Sequence, residues 1–365
     1  MQLDFFPSRT LTLYLAKLFA VRIAAMLFVL VLVLMMLDLL SSSGEILAVP
    51  GNGQGELLTY AGLRIPQLIS RFLPYSVLLA TLITLVTLNQ NSEVIAIKAA
   101  GLSAHQVLAP LLLTAGIVSL VTFGFNERVV TRATATLKAW EAVDFGPIPT
   151  DSRVRTNIYL TDNGNILTAA YLAGTGDAIA MRKVTWYQRN AEGMIVEQVQ
   201  ADTARYASPG WQLEGITRFS VQNAVTERPA TMVVGEGLTP DQIDLAKIDP
   251  DTEPFWTLTS SIAEFERAGR RTSELRAKWW HKISGPLSAF LMPLLGAVAA
   301  FGLARSGQLF VRAVIGMALG FAYFVIDNAA LAMGSFGGYP PSLAAWAPFF
   351  LFLLIGETVL IRTEE

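Results

Sequence analysis

The sequence of 365 residues contains no cysteine, only two histidines and only 15% charged residues, against 53% hydrophobic ones. Without cysteine there is no thiol nucleophile, no disulfide and no cysteine-built metal site, and the redox compartment stays open. A formal net charge of −2 gives no reason to expect a nucleic-acid partner. No G-x-x-x-x-G-K-S/T phosphate loop occurs, so the chain brings no nucleotide site of its own, and neither a cofactor nor a metal is expected. Charge this sparse beside hydrophobic content this high excludes an ordinary soluble globular chain.

Instead, six long apolar runs surround one polar block: Ile23–Leu40, Phe72–Leu88, Val107–Phe125, Ile283–Ala304, Ala313–Met333 and Leu343–Ile361. At about 1.5 Å per residue each reaches roughly 25–33 Å, enough to cross a hydrocarbon core about 30 Å thick. In lipid such a segment must satisfy its own backbone, so each reads as a transmembrane helix. The expected fold is a membrane α-helical protein of six transmembrane helices, three plus three, with an inserted all-β domain of jelly-roll type. Residues 1–125 are the N-terminal membrane half, 126–255 the β domain, and 256–365 a connecting helix with the C-terminal half. Arg9, Lys17 and Arg22 ahead of the first run suit a signal peptide too. That run exceeds the usual apolar region of about 7–15 residues, so an uncleaved first helix is expected.

Arginine and lysine set the orientation. Arg9, Lys17, Arg22, Lys98, Arg305, Arg312 and Arg362 all fall on one side if the six helices alternate, while the short loops Ser41–Glu56 and Gly334–Ser342 carry neither residue. Both termini are therefore expected in the cytoplasm and the 126–255 block on the far side, which in a bacterium is the periplasm. His105 and His281 then lie near opposite membrane faces and are not expected to share a metal or a triad.

The polar block reads as sheet. Thr156–Leu160, Ile166–Leu172, Ala178–Gln188, Met194–Tyr206, Trp211–Val221 and Ala230–Val234 are rich in Val, Ile, Thr, Tyr and Trp. Turn residues separate them, among them Asp162-Asn163-Gly164-Asn165 and Gly174-Thr175-Gly176-Asp177, which predicts an antiparallel sandwich or open jelly-roll. Ser261 to Glu264 fits a capping box opening a short helix that ends near Gly269, and Trp279 and Trp280 stand where an interfacial aromatic belt belongs. Gly51-Asn52-Gly53-Gln54-Gly55 lacks the strand-to-helix context of a nucleotide site and reads as a flexible linker.

The segment 91–103, between the second and third runs, is the most informative short stretch. Ser92 and Glu93 open a helix in which Val94, Ile97 and Ala100–Gly101 recur at helical spacing. The small residues Ala96, Ala99, Ala100 and Gly101 allow another protein to approach closely, and Gly101-Leu102-Ser103 ends the helix. Glu93 suits the positive end of the helix and a basic partner. The alternatives are a docking helix and an ordinary interfacial connector.

S-E-V-I-A-I-K-A-A-G-L-S, from Ser92 to Ser103, resembles the signature of the LptF/LptG family, the permease subunits of the bacterial lipopolysaccharide exporter. The resemblance extends to Trp280–Ser288, Phe321–Asp327, Tyr339-Pro340-Pro341 and the three-plus-three layout. Asp327 and the paired prolines are closer to the G-type member than to the F-type. The resemblance implies a permease that is not itself an enzyme, with Ser92, Glu93, Ala96, Ile97, Ala100, Gly101 and Ser103 coupling to an ATPase. The partners implied are a homodimeric cytoplasmic ATPase (LptB-like), a paralogous permease (LptF-like), a membrane-anchored periplasmic bridge protein (LptC-like) and lipopolysaccharide, with the chain multi-pass in the bacterial inner membrane. Members of the family carry lysines just past the first helix, where this chain has Ser41, Ser42 and Ser43; this implies a different phosphate grip or a lipid with fewer phosphates.

Arginine in a bilayer costs about 2.5–3.5 kcal/mol or more, so Arg64 and Arg71, seven residues apart on nearly one helix face, suggest an anionic ligand. Arg128, Arg132, Arg276, Lys278 and Lys282 fall at the same level, and together they form a candidate rim for lipid A phosphates; singly, each is also a snorkelling anchor. Asp38, Asp327 and Glu357 are the acids in or at the ends of spans, and for Asp327 an interhelical hydrogen bond is the expected role. Two other functions compete with lipid export. One is a mechanotransmitting permease that works a periplasmic domain without binding lipid. The other is a membrane-embedded lipid-modifying enzyme, which needs paired carboxylates or His with Asp at one depth, a cluster the sequence does not display.

Overall fold

A computed structural model of the chain describes residues 6–142, 144–147, 155–162, 164–173, 180–190, 192–221, 223–238, 248–267, 269–301 and 309–364. The turn at Asn163, the Gly174–Asp177 turn and Arg305 lie outside these residues. The chain divides into two compact units. One comprises Met1–Leu39, Arg64–Val130 and Pro254–Glu365, the other Leu40–Leu63 and Thr131–Glu253.

The helices are α1 (Arg9–Leu47), α2 (Gln54–Gln90), α3 (Glu93–Ala99), α4 (Ala104–Phe125), α5 (Thr131–Ala142), α6 (Phe255–Arg267), α7 (Ser273–Phe301), α8 (Leu309–Ser335) and α9 (Pro341–Glu364), with a π-helical turn at Asn126–Val130 between α4 and α5. Among the described residues, five stretches are long and apolar enough to cross a membrane: Arg9–Leu47, Gln54–Gln90, Ala104–Glu141, Val314–Ser335 and Pro341–Arg362. The other expected span, Ile283–Ala304, lies in α7, whose described part ends at Phe301. The chain is a multi-pass membrane protein. Pro66 and Pro74 are carried inside an unbroken α2, so they do not interrupt the segment. Neighbouring helices tolerate proline in this way.

Helix α7 is the hub of the helical unit, with Ala289, Leu291, Met292, Leu294, Leu295 and Ala297 buried. Glycines set the approach of its neighbours. A Cβ at Gly296 would meet Thr81 Cγ2 of α2 at 2.6 Å, one at Gly356 of α9 would meet Leu294 of α7 at 2.7 Å, and one at Gly320 of α8 would run into Leu78 of α2. In lipid, where apolar burial does not drive helix association, such close backbone packing does. Helix α1 is the least buried of the five spans; Phe28, Val29, Val33, Met36 and Leu37 are all exposed.

The other unit carries the sheet: β1 (Arg155–Asp162), β2 (Asn165–Ala173), β3 (Ala180–Arg189), β4 (Ile195–Ala207), β5 (Gly210–Glu214), β6 (Thr217–Ser220), β7 (Val225–Glu227) and β8 (Thr231–Val234). Every pairing is antiparallel. β5 and β6 both pair with β4, Thr203 opposite Glu214 and Gln200 opposite Thr217, in one continuing register. The expected strand Trp211–Val221 is therefore one line, split at Gly215, whose φ of +68° favours glycine. β8 and β7 continue it likewise, Leu213 opposite Met232 and Arg218 opposite Glu227. Among the described strands, neighbours in space are thus neighbours in sequence, and the inserted domain is the expected antiparallel β domain. Leu167, Met181, Val184, Val199, Ala204 and Leu213 bury one side of it with Trp211, whose indole N–H donates to Leu238 O at 2.9 Å.

Two local expectations are corrected. α6 begins at Phe255, not Ser261; Ser261 is inside the helix and its hydroxyl donates back to Thr257 O. Gly51–Gly55 is not a flexible linker either. Asn52 Nδ2 donates to Ile46 O at 2.9 Å and Phe145 O at 2.8 Å, and Glu56 accepts from Gly53 N–H, which ties a tight turn between α1 and α2.

Candidate functional site

α3 forms where expected, and its C-terminal end is closed. Ser92 precedes it in the left-handed region at φ 61° without a side-chain cap bond, so its hydroxyl does not hold the helix start. Ala100 N–H bonds Ala96 O, Gly101 N–H bonds Lys98 O and Leu102 N–H bonds Ile97 O, a Schellman closure with Gly101 at φ 86°. Ser103 then opens α4 through a capping box: Gln106 N–H donates to Ser103 Oγ at 3.2 Å and Ser103 N–H to Gln106 Oε1 at 3.0 Å. Val94 is buried, while Ile95, Ala96, Ala99 and Ala100 are exposed. Glu93 is positioned from within the chain, accepting from Tyr14 Oη at 3.2 Å and Asn91 Nδ2 at 3.2 Å.

Asp38, Asp327 and Glu357 each meet a partner on another helix of the same unit. Asp38 of α1 accepts from Arg64 of α2 through both oxygens, Oδ2 to Nε at 3.0 Å and Oδ1 to Nη2 at 3.1 Å. Asp327 of α8 lies 3.0 Å from His281 Nε2 of α7. Glu357 of α9 lies 3.5 Å from His105 Nε2 of α4. The sequence displayed no His with Asp at one depth, but folding makes that pair at His281 and Asp327. Nothing local could reveal it across 46 residues. The Asp38–Arg64 pair had a signal: the two residues stand thirteen positions either side of Gly51, and a short turn between antiparallel helices levels such positions.

The cationic residues of the expected rim separate. Arg64 is occupied by Asp38 and, at 2.7 Å, by Gln67. Arg71 is exposed, one turn before Tyr75, whose ring stacks on Phe324 of α8 with centroids 3.7 Å apart. Phe324 is a turn from Asp327, which holds His281, and Lys282 adjoins His281. Arg128 follows Glu127, which accepts from Phe255 N–H at 2.7 Å, and Phe255 stacks on Trp279 beside Lys278 at 4.7 Å. Contacts therefore bring Arg71, Arg128, Lys278 and Lys282 to one end of the helical unit. Arg132 is exposed on α5, in the other unit, and Arg276 pairs with Glu266 through Nε at 2.6 Å.

Membrane-crossing helices packed through glycine, a short capped helix between two of them, and a large β unit inserted midway define the membrane subunit of a transporter. The family model "Lipopolysaccharide export system permease LptF/LptG" matches residues 13–362, and the chain belongs to that family. It is 25% identical over 310 residues to the lipopolysaccharide export system permease protein LptG of Escherichia coli K12, covering 83% of this chain and 84% of that one. Its likeness to the LptG of Haemophilus influenzae Rd is 22% over 316 residues, 85% of this chain and 87% of the relative.

Proposed function

We propose that this chain is the LptG-type permease subunit of an ABC exporter that extracts lipopolysaccharide from the bacterial inner membrane and passes it to a periplasmic bridge. It is not an enzyme in this reading. A homodimeric LptB-like ATPase supplies the motion, an LptF-like paralogue completes the pore, and an LptC-like anchored protein receives the lipid. The β unit stands in the periplasm and α3 in the cytoplasm, with domains at 1–125, 126–255 and 256–365. Ser92, Glu93, Ala96, Ile97, Ala100, Gly101 and Ser103 form the coupling segment: Ala96 and Ala100 in its contact face, Glu93 as the charged anchor, Gly101 and Ser103 as the elbow.

The observation that carries the lipid reading is the gathering of Arg71, Arg128, Lys278 and Lys282 at one end of the helical unit. A cationic rim above an apolar bundle complements a phosphorylated, acylated lipid. Arg64 completes the proposed set. The test is lipopolysaccharide retained by the purified complex for Arg71→Gln against wild type. Loss of one charge-assisted contact should lower affinity by about one to two decades. Equal retention, with expression and ATPase activity unchanged, would reduce Arg71 to an interfacial anchor.

A further inference from the structure

We infer that Asp38 is a built-in competitor for lipid phosphate: it holds the Arg64 guanidinium until a phosphate displaces it, and so latches α1 onto α2 while the site is empty. The inference rests on the reading of the cationic rim as a phosphate site. Arg64 offers a planar fork, and a carboxylate and a phosphate are alternative bidentate occupants of that fork. Asp38 fills it with two bonds of 3.0 and 3.1 Å, and Gln67 takes Nη1 at 2.7 Å. The Nε/Nη2 edge is therefore taken, and a phosphate gains that edge only in Asp38's place. The pair is neither sealed nor free in water, with side chains 31% and 22% exposed, which suits an exchangeable contact.

The helix it ties is the one most able to move. α1 is the least buried span. It is held toward its start by Leu15, Phe19 and Ile23 in the core and by Arg22 Nη1 donating to Ile83 O at 3.1 Å. Beyond Ile23 about half of its residues are exposed, Met35 and Ile46 are buried, and Asp38–Arg64 is an ion pair that fastens it there beside the Ser42–Tyr60 hydrogen bond. Transfer of Arg64 from Asp38 to a phosphate would leave a carboxylate beside an arriving anion. Their repulsion favours departure of α1 from α2. Phosphate binding is thereby converted into the opening of one helix pair.

The experiment uses the full chain in its purified membrane assembly, reconstituted in nanodiscs, with bis-phosphorylated lipid A as probe. Asp38→Asn should tighten lipid A binding about three- to ten-fold by unmasking Arg64. The same substitution should do nothing in an Arg64→Gln background, or toward lipid A stripped of its phosphates. If Asp38→Asn binds as wild type while Arg71→Gln weakens binding, the latch is wrong and the rim stands. If neither variant changes binding, both ideas fall. A second readout leaves the latch intact: spin labels on cysteines at Leu37 and Ile69 should move to longer separations when lipid A is added. An unchanged separation overturns the latch, and an equal shift with inorganic phosphate alone overturns its assignment to a lipid.

Discussion

His281 on α7 and Asp327 on α8 share a hydrogen bond of 3.0 Å, and Asp327 is only 7% exposed. With Nε2 protonated the imidazole donates to the carboxylate. Gly285, one turn along α7, makes room for the ring, since a Cβ there would meet His281 Cε1 at 3.2 Å. The pair joins the hub helix to a neighbour at the end of the unit where the cations gather.

Asp327→Ala removes the acceptor and leaves the imidazole without it in a packed site. Interhelical polar contacts in membranes are worth about 0.6–1.7 kcal/mol, and more when a buried charge is stranded. The detergent unfolding midpoint should fall, while Asp327→Asn, which keeps an acceptor oxygen, should retain most of it. An alanine variant as stable as wild type would show that the contact adds nothing to stability.

Glu93→Lys reverses the charge at the start of α3, where Tyr14 and Asn91 now orient the carboxylate. Lysine cannot accept either bond and repels a basic partner. The variant should insert normally, lose the co-purifying ATPase and stop export. Wild-type recovery of the ATPase would remove Glu93 from the docking surface.

Glu192 is exposed beside the hydrogen-bonded turn Asn190–Gly193 that follows β3. Because the natural chain has no cysteine, Glu192→Cys carries the only thiol. An impermeant thiol reagent should label it in intact spheroplasts. Labelling only after lysis would invert the proposed orientation.

Gly296→Ala tests the closeness of α2 and α7. The added methyl would meet Thr81 Cγ2 at 2.6 Å and Cβ at 3.0 Å, and Thr81 is fully buried and fixed by its bond to Val77 O. Overpacking of this kind costs about 1–3 kcal/mol. Thermal unfolding in detergent should register that loss, and Gly124→Ala, with nothing within 4 Å, serves as the neutral control.

Hydrophobic run length made the helices legible, since a span of about 20 apolar residues has few other uses. Their ends were less so. The polar stretch after Leu40 looked like a loop, yet α1 continues to Leu47, because the turn that ends it is held by Asn52 bonds to residues as distant as Phe145. Alternation located the strands, but their order in the sheet is a property of pairing, which among the described strands is sequential. Among the site residues, α3 was legible because caps and small residues act locally. Arg64 was read as a free cation because its partner, Asp38, belongs to another helix. For Asp327 the interhelical hydrogen bond was expected, and what the sequence could not show was its partner, His281.

Every backbone N–H from Ala100 to Ser103 is bonded, the first three back into α3 and the last forward into α4. The bend between the two helices is therefore a bell crank and not a string. It has no slack to take up, so a tilt imposed on seven residues arrives at a 22-residue lever with its direction preserved. In the proposed coupling, a motor seated on α3 needs no grip on α4 to move it.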